Sequence, residues 1–504
     1  MGNKRVYGIE DWKAAFNLSC CVLGLGSLGL ARCFSIAGPV YTTIALLIMC
    51  VVNIYSTAAI SKCMLRAPVY VQTYGDLGEF ILGPAGRYSV VCAQFGTCLM
   101  VPIAFLVLGG SQILPNVFHD VWPHASANHF IPLMALCLLP IVLIRTLKEA
   151  AWVALIGAAG TFLGDFVAVV DSYINATHYT HAQVAPTPMS VATVFGTLSL
   201  AYGAGIVIPG IQRDLKRPEN MPSLITIALL IITGIYFAIG ITGFVQYGCV
   251  APHNLLRSME NRTAEILAQL FFFAHIAIAY AVILNPALYI FERSILGFYQ
   301  VSEEGSTSSC HKNYEKMKTP GRVPLSECYE KGRESMANGD LQDRASYVQD
   351  KRSIGGGAYS GELDLVHNSP RDGQGDQFPI AARLKSYALR TTVVSIQVLV
   401  AMLLQSCFDE FADFIGATSM TFSCIILPVA MYLKMFYHDM KWPERVACII
   451  IMIVCCALGL LCATKYMMDI ISKIDQLKPF HSAIEDDDAA LNTQFCRNIP
   501  LEVQ

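Results

Sequence analysis

Cys21-Val-Leu-Gly24-Leu-Gly26-Ser-Leu-Gly29 and Ala201-Tyr202-Gly203-Ala-Gly205-Ile-Val-Ile-Pro209-Gly210 are hydrophobic segments interrupted by glycine at matching places, one early and one mid-chain. In a bilayer a backbone cannot leave its hydrogen bonds unmade unless it lines a cavity or is buried in protein. Gly/Pro-interrupted spans in corresponding positions of two halves are the best sequence pointer to a midplane binding site. Small residues also let helices approach closely in lipid, so packing competes with unwinding at any single glycine. The density favours unwinding: three glycines fall within six residues, mirrored by Gly203, Gly205, Pro209 and Gly210. Pro209 also removes a backbone donor and obstructs the preceding turn.

Composition sets the medium. The chain is 54% hydrophobic and 14% charged, against about 25% charged in a soluble domain. Its charges cluster and leave long apolar stretches, which makes it an all-α polytopic membrane protein. The net charge of −3 says little, because placement matters more than sum. Eighteen cysteines are present, but Cys50, Cys92, Cys98, Cys137, Cys424 and Cys455 sit inside apolar runs and read as small hydrophobes. No spacing suggests a metal site. The first residues are expected to form a short cytosolic tail rather than a signal peptide, since Glu10, Asp11 and Lys13 precede the first apolar run. Gly2 invites myristoylation, but Val6 stands where Ser or Thr is wanted.

Apolar windows near 14–31, 38–60, 88–113, 130–144, 151–174, 191–211, 223–248, 265–291, 388–407, 412–433 and 446–469 predict about eleven membrane helices. With the N-terminus inside, Lys4, Arg5, Lys13, Lys62, Arg66, Arg87, Arg145, Lys148, Arg213, Lys216, Arg217, Lys434, Lys441 and Arg445 lie in short cytoplasmic segments. The short outer loops hold only Arg32, Arg257 and Arg262, a bias that orients the chain N-in. The glycosylation sequons at Asn175 and Asn261 then fall in outer loops. The expected organisation is a cytosolic tail over 1–13, membrane helices over 14–296, a cytosolic loop over 297–386, helices over 387–470 and an extracellular or luminal tail over 471–504. The 297–386 stretch, polar and Gly-rich, reads as disordered, with a regulatory role as the competing reading.

Gly24-x-Gly26-x-x-Gly29 literally matches the dinucleotide fingerprint. That reading fails, because the motif needs a preceding strand and an acidic residue about 20 positions on, and residues 40–60 contain no carboxylate. The chemistry follows instead from helix ends. An unwound segment presents backbone N–H groups and a positive dipole end suited to a carboxylate. The opposing end presents carbonyls suited to an ammonium group or a cation. A zwitterionic amino acid carries both charges.

Four stretches then resemble the amino acid/auxin permease family, with plant lysine/histidine-type transporters nearest. They are Tyr74-Gly-Asp-Leu-Gly-Glu79 running into Gln94 and Gly109-Gly110; Tyr202-Gly-Ala-Gly205 leading to Gln212-Arg-Asp-Leu-Lys-Arg-Pro218; Val245-Gln-Tyr-Gly248; and Phe411 through Gly416 to Leu427-Pro-Val-Ala-Met-Tyr-Leu-Lys434. The resemblance implies a 5+5 inverted-repeat transporter fold with helices 1 and 6 broken, plus an eleventh helix. It implies secondary amino-acid symport driven by protons, with sodium the second choice of coupling ion and no other cofactor. Carried over by position, it places substrate contacts at Leu23, Gly24, Leu25, Gly26, Ser27 and Gly29, and at Ala201, Tyr202, Gly203, Ala204 and Gly205. Gln94 either faces substrate or is a packing amide; Tyr202 either caps substrate or packs in the core. Two departures stand out: Gly29-Leu-Ala-Arg32 lacks the family's usual proline, and the 297–386 loop is unusually long.

Asp165 is the sharpest polar anomaly. A charged Asp at a helix centre costs about 2.5–3.5 kcal/mol on insertion scales, so it is a functional hypothesis by default, and a proton site competes with a helix-bridging role. Asp171, Asp409, Glu410 and Asp413 are expected to be solvated near the outer interface, and His275 to be a core histidine. An intramembrane aspartyl protease is disfavoured because Phe162 interrupts the Gly-x-Gly-Asp pattern and no Tyr-Asp partner occurs in any helix. A channel is disfavoured for want of a filter loop or charge ring. An amino-acid sensor with little flux needs the same site and stays open. The expected partners are an amino acid and the lipid bilayer, not nucleic acid, in the plasma membrane or a vacuolar or lysosomal membrane.

Overall fold

The computed structural model describes residues 7–68, 71, 73–143, 150–174, 184–251, 254, 256, 259, 261–296 and 380–476. Asn175 and residues 297–379 lie outside them. Two units divide the chain, Met1–Leu288 with Leu365–Gln504, and Tyr289–Asp364. The first carries every site discussed below.

Helices make up the described chain, which contains no strand. In order they are α1 (Ile9–Val22), α2 (Leu25–Leu28), α3 (Leu30–Arg66), α4 (Tyr74–Leu82), α5 (Pro84–Val117), α6 (Ala127–Leu143), α7 (Ala150–Ile174), α8 (Pro188–Ala201), α9 (Ile208–Asp214), α10 (Met221–Tyr247), α11 (Arg262–Leu296), α12 (Ile380–Leu404), α13 (Phe408–Phe436) and α14 (Trp442–Gln476). Eight helical stretches are long and apolar enough to cross a membrane, and Ala127–Leu143 is a shorter apolar helix. The first expected span is not among the eight because a break cuts it. Its outer part runs on into the second span across Gly38, whose φ of +79° only glycine adopts readily, with Pro39 opening the next helix. Thr42 donates to the Cys33 carbonyl at 2.8 Å across this corner. α12 begins at Ile380, upstream of the 387 boundary read from composition, with Arg383 and Lys385 on its first turns.

Several resemblance motifs turn out to hold one end of the helix bundle together. Thr73 and Asp76 form a capping box on α4, and Arg87 pairs with Asp76 at 3.4 Å and with Glu79. Arg213 donates to the Val71 and Pro68 carbonyls, and Gln212 to the Ser61 carbonyl. These bonds tie the end of α9 to the turn between α3 and α4. At the other face Ser35 donates to the Gly248 carbonyl at 2.8 Å. Cys249 is disulfide-bonded there, whereas Cys50, Cys92, Cys98, Cys137, Cys424 and Cys455 are free thiols.

α13 departs from α geometry over Gly416–Met420 and Phe422–Ile426, which are π-helical turns, and α5 does so over Leu108–Ile113. Such bulges are rare and cluster at functional sites. α13 crosses α8 so closely that a Cβ on Gly416 would lie 2.0 Å from the Gly196 carbonyl oxygen. Gly416→Leu should therefore abolish recovery of folded protein in size-exclusion chromatography. Gly234→Leu, where nothing lies within 4 Å of the added atom, should elute as wild type; equal behaviour of the two variants would show that the crossing is not that tight.

Candidate functional site

The first break is short. α1 ends at Val22, Leu23 turns extended (φ −70°, ψ 117°), and Gly24 opens α2. Ser27 secures the new start, its N–H and hydroxyl both reaching the Gly24 carbonyl at 3.0 and 2.9 Å. The opening N–H groups of a helix have no partner inside it, so α2 starts with free donors at this level. The second break is longer. α8 ends at Ala201, Tyr202 leaves helical geometry (φ −99°, ψ 18°), and Gly205–Val207 forms one 3₁₀ turn before α9. Pro209 sits in the first turn of α9, where its missing N–H costs nothing.

The two breaks touch. A Cβ on Gly26 would lie 2.3 Å from Ala201 Cα, and one on Gly29 would lie 2.7 Å from the Thr197 methyl. The glycines of the first motif thus divide their work: Gly24 marks the break, while Gly26 and Gly29 let α2 and its continuation lie against α8. Unwinding and packing are both true of this motif, at different residues. Leu23, Gly24, Leu25, Gly26, Ser27, Ala201, Tyr202, Ala204 and Gly205 are all buried.

One hydroxyl joins them. Tyr236, fully buried on α10, lies 3.0 Å from the Val22 carbonyl and 2.7 Å from the Ala201 carbonyl. These are the last residues before each break, whose carbonyls have lost the next helical turn as partner. Tyr236 was not a candidate from sequence, since a tyrosine within a 27-residue apolar helix carries no positional signal. Its ring meets Tyr202 edge-on at 5.5 Å, and the Tyr202 hydroxyl pairs with Thr233 at 2.7 Å. Tyr202 is therefore turned into the core against α10.

Asp165, buried on α7, has its carboxyl near the Ser27 side chain and so stands at the start of α2. Its Oδ2 has no hydrogen-bond partner. Gly164, beside it, and Gly160 seat α7 against the α11 backbone at Ala268 and Phe271. Farther along α11, His275 comes to the same break: a Cβ on Gly24 would lie 3.2 Å from its Nε2. The core histidine of the sequence reading is thus a neighbour of the broken helix. From the opposite side α13 brings Met420 to Gly203 and Cys424 to Gly205, through its π-helical turns. Gln94 is half-buried on α5, and no hydrogen bond among the described residues links it to either break.

The acidic residues read as solvated need correction. Glu410 is buried and paired with Lys473 at 3.1 Å, and Asp171 is buried. Asp413 accepts from Thr197 at 2.6 Å. The reason is that α13 lies between α8 and α14, whose polar groups replace water. Asn261 is exposed, and its side-chain oxygen caps α11 by accepting from the Thr263 and Ala264 N–H groups.

Removing the Tyr236 hydroxyl takes away the one proton that the Val22 and Ala201 carbonyls share, at about 1–3 kcal/mol. Tyr236→Phe should lower the thermal unfolding midpoint and do so more than Tyr280→Phe, whose hydroxyl meets only the Gln397 side chain. Equal shifts would remove Tyr236 from its role.

Residues 8–472 match the family model described as transmembrane amino acid transporter protein. Vacuolar amino acid transporter 3 of Schizosaccharomyces pombe is 23% identical over 308 residues, which cover 60% of this chain and 46% of that one. Lysine histidine transporter-like 4 of Arabidopsis thaliana is 23% identical over 330 residues, 59% of this chain and 72% of the relative. Amino acid permease 2 of Arabidopsis thaliana is 21% identical over 321 residues, 57% of this chain and 65% of the relative. The chain thus spans about half the length of the first of these relatives. With a match running through nearly all of its helices, the chain belongs to the transmembrane amino acid transporter protein family.

Proposed function

We propose that the protein is a secondary carrier of amino acids, working by proton-coupled symport with alternating access around the paired breaks. The observation that carries this reading is the contact of the breaks at Gly26 and Ala201, with Tyr236 bonded to the carbonyl before each. Two interrupted helices meeting in the protein interior put the opening turn of α2 and the non-helical backbone after α8 side by side. In this reading Gly24–Gly29 meets the substrate carboxylate and Tyr202–Gly205 the amine. The names of the relatives, amino acid transporters and permeases, support the substrate class.

Asp165 is the proposed proton carrier. Ser27 has one hydroxyl proton, and it points to the Gly24 carbonyl at 2.9 Å. The Asp165 carboxyl lies near the same side chain with Oδ2 buried and unpartnered, and a proton on it would avoid a buried charge. Losing that proton leaves a buried charge that recruits the Ser27 hydroxyl away from Gly24, so proton loading and the start of α2 are coupled through one side chain.

A thermal-shift screen of the twenty amino acids on purified protein should identify at least one stabilising ligand. If none of them stabilises it, the substrate class is wrong. In proteoliposomes with an imposed pH gradient, Asp165→Asn should keep that thermal shift and lose gradient-driven accumulation of the same amino acid. Accumulation at the wild-type level, or accumulation that follows a sodium gradient instead, would remove the proton assignment.

A further inference from the structure

A groove runs between α13 and α14 and ends in basic residues. On α13, Thr418, Phe422, Ile426, Ala430 and Lys434 recur every fourth residue along its wall; on α14, Met452, Cys456, Gly459 and Ala463 face them. Two adjoining crevices make it up. The deeper one, about 640 Å³, has a floor of small residues including Ala93, Ala417 and Gly459. The other, about 510 Å³, is lined by Lys434, Tyr437 and His438 and by no acidic residue. The step from Ile426 to Ala430 on one helix, and from Met452 to Cys456 on the other, is a single turn, so the crevices are consecutive parts of one groove.

Its surroundings are those of a lipid-facing surface. Ile449, Ile450, Ile453 and Leu460 are exposed along α14. From Thr418 to Lys434 the groove is at most about 24 Å long, the α-helical rise of about 1.5 Å per residue being an upper bound across the π-helical turns, within a hydrocarbon core of about 30 Å. In the N-in orientation Lys434 stands at the cytoplasmic headgroup level, where anionic lipids attract basic residues. Lys434 is exposed and forms no ion pair among the described residues. Arg445 stacks on Tyr437 at 4.4 Å, and its Nε has no hydrogen-bond partner. The nearby acid Asp439 is already paired with Arg66 at 2.5 Å.

We propose that this groove holds one anionic glycerophospholipid of the cytoplasmic leaflet, its phosphate between Lys434 and Arg445 and an acyl chain along the small residues of α13 and α14. The occupant follows from the two halves of the groove: an apolar channel that opens to lipid, continued by Lys434, which has no ion pair among the described residues, and by Arg445, whose Nε has no hydrogen-bond partner. A sterol or a neutral lipid fills the channel and brings these two groups no anion. The same α13 segment touches the second break through Met420 and Cys424, so the lipid braces the wall of the central site from outside. The site rests on membrane embedding and on the N-in orientation; its readout is lipid attachment, independent of any transported solute.

The test uses the full chain in phosphatidylcholine nanodiscs containing a phosphatidylserine with a photoreactive diazirine in its acyl chain, and maps attachment by peptide mass spectrometry. Attachment should concentrate on the α13 and α14 peptides that line the groove. The same diazirine on phosphatidylcholine should label them less. Lys434→Gln should cut phosphatidylserine labelling about fivefold, the effect of one basic residue near a membrane surface. Cys456→Trp, at an exposed position, should plug the channel and remove the label. Label spread over other exposed faces such as Leu230–Ile231 of α10, or equal labelling by the two lipids in wild-type protein, would overturn the proposal without recourse to either variant. Unchanged labelling in Cys456→Trp would do the same.

Discussion

The single hydroxyl proton of Tyr236 is shared between two carbonyls left without a helical partner, those of Ala201 at 2.7 Å and Val22 at 3.0 Å. In a bilayer an interrupted helix is tolerated only if something else serves its freed backbone groups. Val22 and Ala201 end their helices in the protein interior, and one side chain from α10 reaches both. Everything else about the centre follows from keeping that triangle closed. Gly26 and Gly29 must lack side chains so that α2 and its continuation can lie on α8, and Gly416 must lack one so that α13 can support α8 from behind.

Around this frame the polar groups are distributed unevenly. Asp165 and Ser27 stand at the start of α2, with His275 beside Gly24 and the sulfur-bearing side chains of α13 at Gly203 and Gly205. The first break is therefore bordered by groups that can exchange protons, the second by thioether and thiol. Farther out, Thr197, Asp413, Glu410 and Lys473 form a second buried polar layer where α8, α13 and α14 meet. A buried ion pair adds little net stability, so its value there lies in fixing which helices are neighbours.

Much of this was legible before any coordinates. Membrane embedding, the two breaks and the family came directly from hydropathy, glycine placement and motif order. The role of single residues was less legible. Tyr202 read equally as a substrate cap or a core residue, and its hydroxyl bonds Thr233. Glu410 looked solvated because it begins a helix, yet α14 places Lys473 over it. Asp76 and Arg213, which stand in stretches that carry the family resemblance, form a helix cap and a loop clamp.

The sequence alone determined that the chain crosses a membrane, which spans are interrupted, and where a polar residue stands in apolar surroundings. Those are local properties, fixed by the cost of putting each residue type in lipid. Only the tertiary structure decided that the breaks touch, that Tyr236 closes them, that Asp165 stands near Ser27, and that α13 and α14 leave a groove ending in basic residues. Each of these joins residues far apart in the chain, and a side chain's partner across a helix interface leaves no periodicity in its own segment.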